Sequence, residues 1–300
     1  MRIALRVAEK SFSRIPRTKY TLSAREFNLK LGEQTKIMGI LNLTPDSFSG
    51  DGLLAKKNDV KRNVDFAQGL ISQGADIIDI GGESTRPGSL QISEKEEAAR
   101  IIPTVTVLSK RIKVPISVDT YKEAVANKAL DAGASIVNNI MGTKVTKPFL
   151  RHVKNYHAAI VLMHIRGTPG TMQKRIFYKD LVGEILGELR MAVEKCLEAG
   201  IKATRIIVDP GIGFGKTAAH NLEIIERLCE FRSLDKPILI GTSRKSFIGK
   251  ILNNGMSDRL IGTTATVCAS ILRGTHIVRV HDVKEIKEAA LMSDAIINVN

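Results

Sequence analysis

Residues 206–216 read IIVDPGIGFGK, a short apolar run followed by an acid, a proline and three closely spaced glycines. A β-branched run of this length is typical of a buried strand, and the glycines mark a loop. The stretch Leu222–Phe231 then follows with the apolar periodicity of a helix. One strand, one polar loop and one helix therefore form the unit from which the fold can be read.

The same unit recurs along the chain, eight times in all, and a closing helix is predicted near Val283–Ala295. Strands that are apolar on both faces are typical of a parallel sheet covered by helices. The pattern predicts one (β/α)8 TIM barrel, a fold that suits a chain of 300 residues. The predicted strands are Ile37–Leu41, Asp76–Ile80, Pro115–Val118, Ile136–Ile140, Ala159–His164, Ile206–Asp209, Pro237–Ile240 and Ile277–Val280.

The chain before this repeat is rich in Lys and Arg, and we assign residues 1–26 to a basic, solvated N-terminal arm. Residues 27–300 are predicted to form one domain. Within it, Asn28–Leu31 and Thr35–Met38 flank a turn at residues 32–34, which predicts a β-hairpin that closes the barrel floor.

The net charge and the composition indicate which classes of partner to expect. A net charge of +14 favours an anionic partner such as phosphate, a carboxylate or nucleic acid. Basic patches interleaved with aromatic residues are missing, so nucleic acid is not the expected partner. No apolar run approaches the ~20 residues of a membrane span, and no secretory pattern is present, so we expect a cytoplasmic protein without membrane contact. The three cysteines are too far apart to form a zinc or redox motif.

Active sites of (β/α)8 barrels lie at the carboxyl ends of the strands. Polar residues follow all eight predicted strands. A purely structural role could account for any one of these stretches, but it would have to account for all eight at the same end of the barrel. This end of the barrel is therefore the predicted active site. The polar stretches are NLTPDSFS at 42–49, GGESTRPG at 81–88, DT at 119–120, NN at 138–139, MH at 163–164, DPGIGFGK at 209–216, TSRKS at 242–246 and RVHD at 279–282.

Four of these residues carry competing interpretations. Asp119 could bind a ligand, or it could cap a helix, because Glu123 completes a pattern similar to a capping box. Asp209 is a stronger ligand candidate, since a proline and glycines separate it from the next helix. Asn138 and Asn139 suit either the edge of a heterocycle or the satisfaction of loop backbone, and the sequence favours neither interpretation.

The glycine loop at 211–216 is not a nucleotide-binding motif, because Pro210 occupies the position of the first Walker glycine. Phe214 is instead predicted to cover a flat ligand, in a chain that is only 4% aromatic. Arg279 and His281 follow the last strand at alternate positions, and Lys245 precedes a helix, a combination that predicts binding of a pyrophosphate or carboxylate. His164 is predicted to support the site without contacting a ligand.

Six of these motifs, in this order, resemble those of the dihydropteroate synthase family, and the resemblance extends from residue 27 to the C-terminus. It implies that 6-hydroxymethyl-7,8-dihydropterin diphosphate is joined to 4-aminobenzoate with release of pyrophosphate and assistance from Mg2+. A cationic pterin-methylene species, and no protein nucleophile, would carry the reaction. The resemblance also implies a homodimer and competition by sulfonamides.

The resemblance further implies a role for each matching residue. The implied pterin ligands are Asp119, Asn138, Met163, Asp209, Lys245 and Arg279. The implied 4-aminobenzoate site consists of Phe48, Thr85, Arg86, Pro87, Phe214 and Ser246. Asn42, Arg279 and His281 would bind pyrophosphate, Asn42 would also hold Mg2+, and the catalytic set would be Asp119, Lys245, Arg279 and Asn42.

The chain departs from the family pattern at three places. Gly50 precedes Asp51 where the family has the reverse order, Asn139 stands in place of an acid, and residues 164–170 differ from the usual Met-Gln at their middle positions. These changes bear on loop order and rate more than on substrate identity. A corrinoid-dependent methyltransferase domain and a non-catalytic barrel that binds pterin or RNA are the alternative interpretations.

Overall fold

The computed structural model describes residues 17–44, 59–85, 89–253 and 259–299. Within these ranges an antiparallel pair of strands precedes eight parallel strands that alternate with helices. The strands are β1 (Tyr20–Ala24), β2 (Phe27–Leu31), β3 (Lys36–Asn42), β4 (Ile77–Gly81), β5 (Ile116–Asp119), β6 (Ile136–Asn139), β7 (Ala159–Met163), β8 (Ile206–Asp209), β9 (Leu239–Ile240) and β10 (Ile277–Val280). The helices are α1 (Val60–Ser72), α2 (Glu94–Leu108), α3 (Glu123–Asp131), α4 (Lys147–Asn155), α5 (Leu181–Glu198), α6 (Ala218–Glu226), α7 (Ser246–Leu252), α8 (Leu260–Leu272) and α9 (Val283–Asn298).

The eight parallel strands close into a barrel, which confirms the predicted fold. Their order is β8-β7-β6-β5-β4-β3-β10-β9. The ring is completed between its two ends, where Val208 bridges Ile238 and the Val208 N–H donates to the Pro237 carbonyl at 3.0 Å. β9 is shorter than predicted, because Pro237 has no N–H to contribute to a ladder.

Side chains along each strand alternate between the helices outside and the barrel interior. Ile78 and Ile80 of β4 belong to the core shared with the helices, whereas Ile77 belongs to a separate inner cluster. That inner cluster fills the lower part of the barrel with apolar side chains. The polar inward positions lie above it, toward the carboxyl ends of the strands, so the active-site end is a polar layer over an apolar floor.

The hairpin closes the barrel floor as expected, but its predicted register is wrong. β1 pairs with β2 from Tyr20 opposite Leu31 to Ala24 opposite Phe27. Residues 35–38, predicted as the second hairpin strand, instead enter β3, which pairs in parallel with β10. Leu22 and Leu31 are buried in the inner cluster, because the hairpin's apolar side faces the barrel interior.

Residues 17–26 of the predicted basic arm lie within the described part of the chain, and Tyr20–Ala24 among them form β1. Arg17 is buried, and its guanidinium contacts Oδ1 of Asp294 at 2.5 Å and Oγ1 of Thr35 at 2.6 Å. This ion pair joins α9 to the residues that precede β3. Residues 1–16 of the predicted arm lie outside the described residues. In the ranges that the structure covers, none of the helices is long and apolar enough to cross a membrane.

Candidate active site

The strand register brings the predicted polar residues together at one end of the barrel. Gly81 of β4 lies opposite Asp119 of β5, and Asp119 lies opposite Asn138 of β6. Gly81 leaves room between its neighbours, since a Cβ at this position would lie 3.4 Å from Oδ1 of Asn42 and 3.7 Å from Cβ of Asp119. Asn42, Asp119 and Asn138 therefore line adjacent parts of the barrel mouth.

Arg279 binds two aspartates within this layer. Its Nε donates to Oδ2 of Asp79 at 2.6 Å, and a terminal nitrogen donates to Oδ2 of Asp119 at 2.8 Å. Asp79 is fully buried, and such a charge requires a partner because its desolvation is costly. Burial also lowers the pKa of Arg279, but the two carboxylates outweigh that effect and raise it. The sequence predicted Arg279 and Asp119 as ligands, and the structure joins them.

Asp119 does not cap a helix, so that alternative interpretation is wrong. α3 begins at Glu123, and its N-cap residue is Lys122, whose side chain makes no capping hydrogen bond. Burial raises the pKa of Asp119 to about 7, with Arg279 acting in the opposite direction and Asp79 adding to the rise. This carboxyl therefore changes its charge near neutral pH.

The sequence left two interpretations open for the neighbouring asparagines, and the structure supports a different one for each residue. Asn138 donates from Nδ2 to Oδ2 of Asp79 at 3.2 Å. This leaves the side-chain oxygen of Asn138, Oδ1, as the acceptor that a ligand can use. Asn139 accepts at Oδ1 from the Met141 N–H at 2.8 Å and is buried. Asn138 is thus part of the site, whereas Asn139 shapes the turn after β6.

Asp209 and Lys245 form the second charged part of the mouth. Asp209 is buried, and its Oδ1 accepts from the Gly211 N–H at 2.7 Å. Burial raises the pKa of Asp209 although Lys245 opposes that rise. Lys245 donates to the Ile212 carbonyl, and burial lowers its pKa to about 8 against the opposing effect of Asp209.

An apolar cluster forms a wall beside these charges. Met163 and Phe214, both predicted from the sequence, belong to it, and Tyr121 packs against it from the loop after β5. The ring of Phe214 also lies 4.7 Å from Nζ of Lys245, within the range of a cation–π contact. A polar layer with an apolar wall suits a flat ligand that has a hydrogen-bonding edge.

Comparison with known proteins assigns this site to a family. A family described as pterin binding enzymes matches residues 38–281. The chain is 46% identical over 270 residues to the dihydropteroate synthase of Bacillus subtilis, and the aligned region covers 90% of this chain and 91% of that protein. The chain belongs to the dihydropteroate synthase family. Its activity is that of a dihydropteroate synthase, and neither the methyltransferase nor the non-catalytic interpretation is supported.

Solved structures of dihydropteroate synthases agree with this assignment. The Yersinia pestis enzyme, solved with a sulfonamide drug, is similar with a TM-score of 0.86 and 39% identity over 93% of this chain and all of that one. The Xanthomonas albilineans enzyme, solved with 4-aminobenzoic acid, has a TM-score of 0.85 and 34% identity over 94% of this chain and all of that one. The fold of this chain is thus shared with both enzymes.

Three of the remaining predicted residues of this dihydropteroate synthase barrel, His281, Ser246 and Thr85, lie at its rim. His281 follows β10, with its Nδ1 3.0 Å from Oγ of Ser243. Ser246 is the exposed first residue of α7, and Thr85 is half-buried in the loop after β4. The other predicted positions, Phe48, Arg86 and Pro87 together with the altered pair Gly50 and Asp51, lie outside the described residues.

Two residues that face the site were not predicted. Asp79 was overlooked although an acid inside the run IIDI is a signal in itself, since a charge within a buried strand requires a partner. Lys216 is buried and contacts His164, the histidine that the sequence predicted to support the site. The partner of Lys216 is 52 residues away in the sequence, so no local pattern identified this contact.

Proposed function

We propose that the chain joins 6-hydroxymethyl-7,8-dihydropterin diphosphate to 4-aminobenzoate. The C–O bond between the pterin methylene and the diphosphate breaks, the amine nitrogen forms a C–N bond with that carbon, and the amine loses a proton. The developing cation is delocalised over the pterin ring. The observation that carries this proposal is the row of Asp119, Asn138 and Asp209 beside Arg279, in which Asn138 and Asp209 are buried and the Asp119 side chain is 9% exposed, because preorganised carboxylates stabilise positive charge where it develops.

The pterin edge is matched by the acceptors and donors of the polar layer. Asp209 and Asp119 would accept hydrogen bonds from the N–H groups of the ring, and the Asn138 carbonyl oxygen would accept another. Lys245 would donate to the ring carbonyl. Met163 would pack against the ring, and the planar guanidinium of Arg279 would stack on it, held in place by Asp79.

The leaving diphosphate would be bound by Arg279, His281 and Asn42. Mg2+ commonly takes one or two protein oxygens and completes its shell with phosphates and water. Asn42 fits this role, because its amide oxygen reaches the space above Gly81, next to Asp119. Among the described residues no group of three His, Cys, Asp or Glu side chains could hold a metal ion, which accords with a metal held mainly by the substrate. When bound, Mg2+ would neutralise negative charge on the departing diphosphate.

The second substrate would lie against Phe214. Ser246 at the start of α7 and Thr85 after β4 would bind the ring and carboxylate of 4-aminobenzoate, together with Phe48, Arg86 and Pro87. A sulfonamide, which has a similar shape and an amine in the same position, is expected to compete with it. Retention of competition after Phe214→Ala would argue against this placement.

We also propose a homodimer formed through α7, α8 and α9. These helices expose large apolar side chains, among them Ile251 (50% exposed), Ile261 (76%), Met292 (66%) and Ile296 (55%). Exposed apolar residues that cluster on neighbouring helices commonly mark an interface between subunits.

The deciding experiment measures pyrophosphate release with the dihydropterin diphosphate and Mg2+, with and without 4-aminobenzoate. Release that depends on 4-aminobenzoate, together with dihydropteroate identified by mass spectrometry, is the expected result. Omission of Mg2+ should slow the reaction. Binding of the pterin without any product would overturn the proposed condensation.

A further inference from the structure

A buried lysine and a buried histidine connect the end of β7 to the glycine loop, residues 211–216. Lys216 is 3% exposed and His164 is not exposed at all. Nζ of Lys216 lies 2.9 Å from Nδ1 of His164 and donates to the carbonyl of Phe214 at 3.1 Å. The same amino nitrogen therefore contacts both the barrel and the peptide of the residue that forms the apolar wall.

The glycine loop lies so close to the end of β7 that side chains are excluded. Gly211 has a φ of 73°, and a Cβ there would lie 1.9 Å from the His164 carbonyl oxygen. Gly215 has a φ of 67°, and its Cβ would lie 2.6 Å from the Arg166 carbonyl oxygen. Both positions require glycine, and the loop consequently follows the backbone of residues 164–166.

Other side chains hold the glycines on either side of Phe214. The Gly213 N–H donates to Oδ1 of Asn221 at 2.7 Å, and the Gly215 carbonyl accepts from the hydroxyl of Tyr178 at 3.0 Å. The carbonyl of Phe214 receives its side-chain hydrogen bond from Lys216. Loss of that bond would leave the Phe214 carbonyl without its side-chain partner, while the Phe214 N–H stayed bonded to the Gly211 carbonyl at 3.1 Å.

The contacts also determine the tautomer of His164. Nε2 of His164 lies 3.5 Å from Oε2 of Glu188, and a carboxylate can only accept a hydrogen bond. Nε2 makes no hydrogen bond among the described residues, whereas Nδ1 lies 2.9 Å from Nζ of Lys216, which can donate. Nδ1 is therefore the acceptor, and the proton of the neutral ring is on Nε2, the nitrogen that faces Glu188. Burial lowers the pKa of His164 to about 4, with Lys216 adding to the shift, so the ring stays neutral at physiological pH.

We propose that the Lys216–His164 pair positions Phe214 as a wall of the 4-aminobenzoate site, which makes both residues positioning residues for the second substrate. The inference rests on the proposed function. Nζ of Lys216 bonds to His164 and to the Phe214 peptide, whereas the hydrogen bond of the pterin ligand Asp209 comes from Gly211 and Lys216 acts on Asp209 through charge alone. Loss of the pair therefore impairs the second substrate much more than the first.

The test compares wild type with Lys216→Met, which preserves side-chain length and removes the donor. We expect the KM for 4-aminobenzoate to rise about tenfold, the effect of one buried hydrogen bond. Titration calorimetry with the dihydropterin diphosphate and Mg2+ alone should give a Kd that changes less than about twofold. Lys195→Met, which alters an exposed lysine on α5, is the matched control and should leave both constants unchanged.

A second pair of variants tests the same inference through the histidine. The Oδ1 of Asn lies near the position of a histidine Nδ1, so His164→Asn can still accept from Lys216, whereas His164→Leu cannot. We expect His164→Asn to restore a KM for 4-aminobenzoate close to that of wild type and His164→Leu to behave like Lys216→Met. A purely structural role for the histidine would not separate the two variants in this way.

Three results would overturn the inference: an unchanged KM for 4-aminobenzoate in Lys216→Met, equal losses for both substrates, or equal behaviour of the two His164 variants. If Lys216→Met does not fold, the His164 variants decide. Wild-type protein that forms no dihydropteroate would overturn the proposed function itself. Wild-type turnover with an unaffected Lys216→Met would overturn only the role of the pair.

Discussion

Nε of Arg279 donates to Oδ2 of Asp79 at 2.6 Å, although the two residues are 200 positions apart in the chain. The same oxygen of Asp79 accepts from Nδ2 of Asn138. One buried carboxylate thus orients the guanidinium and the amide that are proposed to contact the pterin. Asp79 acts on the substrate through these two side chains.

Asp79→Asn should weaken pterin binding. Hydrogen bonds to charged groups contribute about 1.5–3 kcal/mol, so we expect the KM for the dihydropterin diphosphate to rise roughly 10- to 100-fold. Steady-state kinetics with saturating 4-aminobenzoate measures this change. Asp65→Asn, at an exposed position on α1, is the matched control. An unaltered KM in Asp79→Asn would show that Arg279 and Asn138 are oriented without it.

Lys245→Met should abolish turnover without loss of stability. Burial holds the pKa of Lys245 at about 8, below its usual value of 10.5. Between these values the unfolded chain binds more protons than the folded one, so the contribution of Lys245 to the free energy of unfolding rises from about pH 8 to about pH 10.5. Below about pH 8 Lys245 is charged in both the folded and the unfolded chain, and burial of that charge lowers the free energy of unfolding. Denaturant titration at pH 7 should therefore find Lys245→Met at least as stable as wild type, and a clear loss of stability would contradict this reasoning.

The pH profile of kcat/KM for the dihydropterin diphosphate should be bell-shaped. Asp119 accepts hydrogen bonds at both oxygens, with no O–H donor of its own, only when it is ionised, and its pKa is raised to about 7 by burial, which Arg279 opposes. Lys245 is protonated below about pH 8, so activity should be greatest between about 7 and 8. In Lys245→Arg the alkaline limb should move to higher pH. A profile that is flat from pH 6 to pH 9 would exclude titration of these two groups.

Gly211→Ala should be strongly destabilising. The left-handed φ and the overlap of its Cβ with the His164 carbonyl oxygen predict a loss of roughly 2–4 kcal/mol. Gly187→Ala is the matched control, because Gly187 is exposed on α5 with no atom near its Cβ position. That variant should gain about 0.5–1 kcal/mol from improved helix propensity. Equal free energies of unfolding for the two variants would refute the close packing of the loop.

Ile296→Glu should shift the protein toward the monomer. A charge placed within an apolar interface must be desolvated without a partner, which weakens association. Sedimentation velocity over a range of concentrations measures the shift. Leu197→Glu, at an exposed apolar residue of α5, should leave the oligomeric state unchanged. A wild-type protein that remains monomeric at high concentration would contradict the proposed dimer.

The sequence by itself determined the barrel and the end at which its site lies. β8 and β10 have the predicted bounds, because apolar runs that end in polar loops are local features of the chain. The register of the hairpin was not determined in this way. Residues 28–31 can pair with either flanking segment, and the choice depends on which apolar face the barrel floor accepts.

Only the tertiary structure decided what each polar residue contacts. Asn138 and Asn139 are neighbours of the same chemical type, yet one faces Asp79 and the other holds a turn, because successive strand residues point to opposite sides. Asp79 and Lys216 acquire their roles from partners distant in the chain, Arg279 and His164. Such pairs form only when the closed sheet brings separate strands together, since hydrogen bonds require atoms within about 3 Å whatever their separation in sequence.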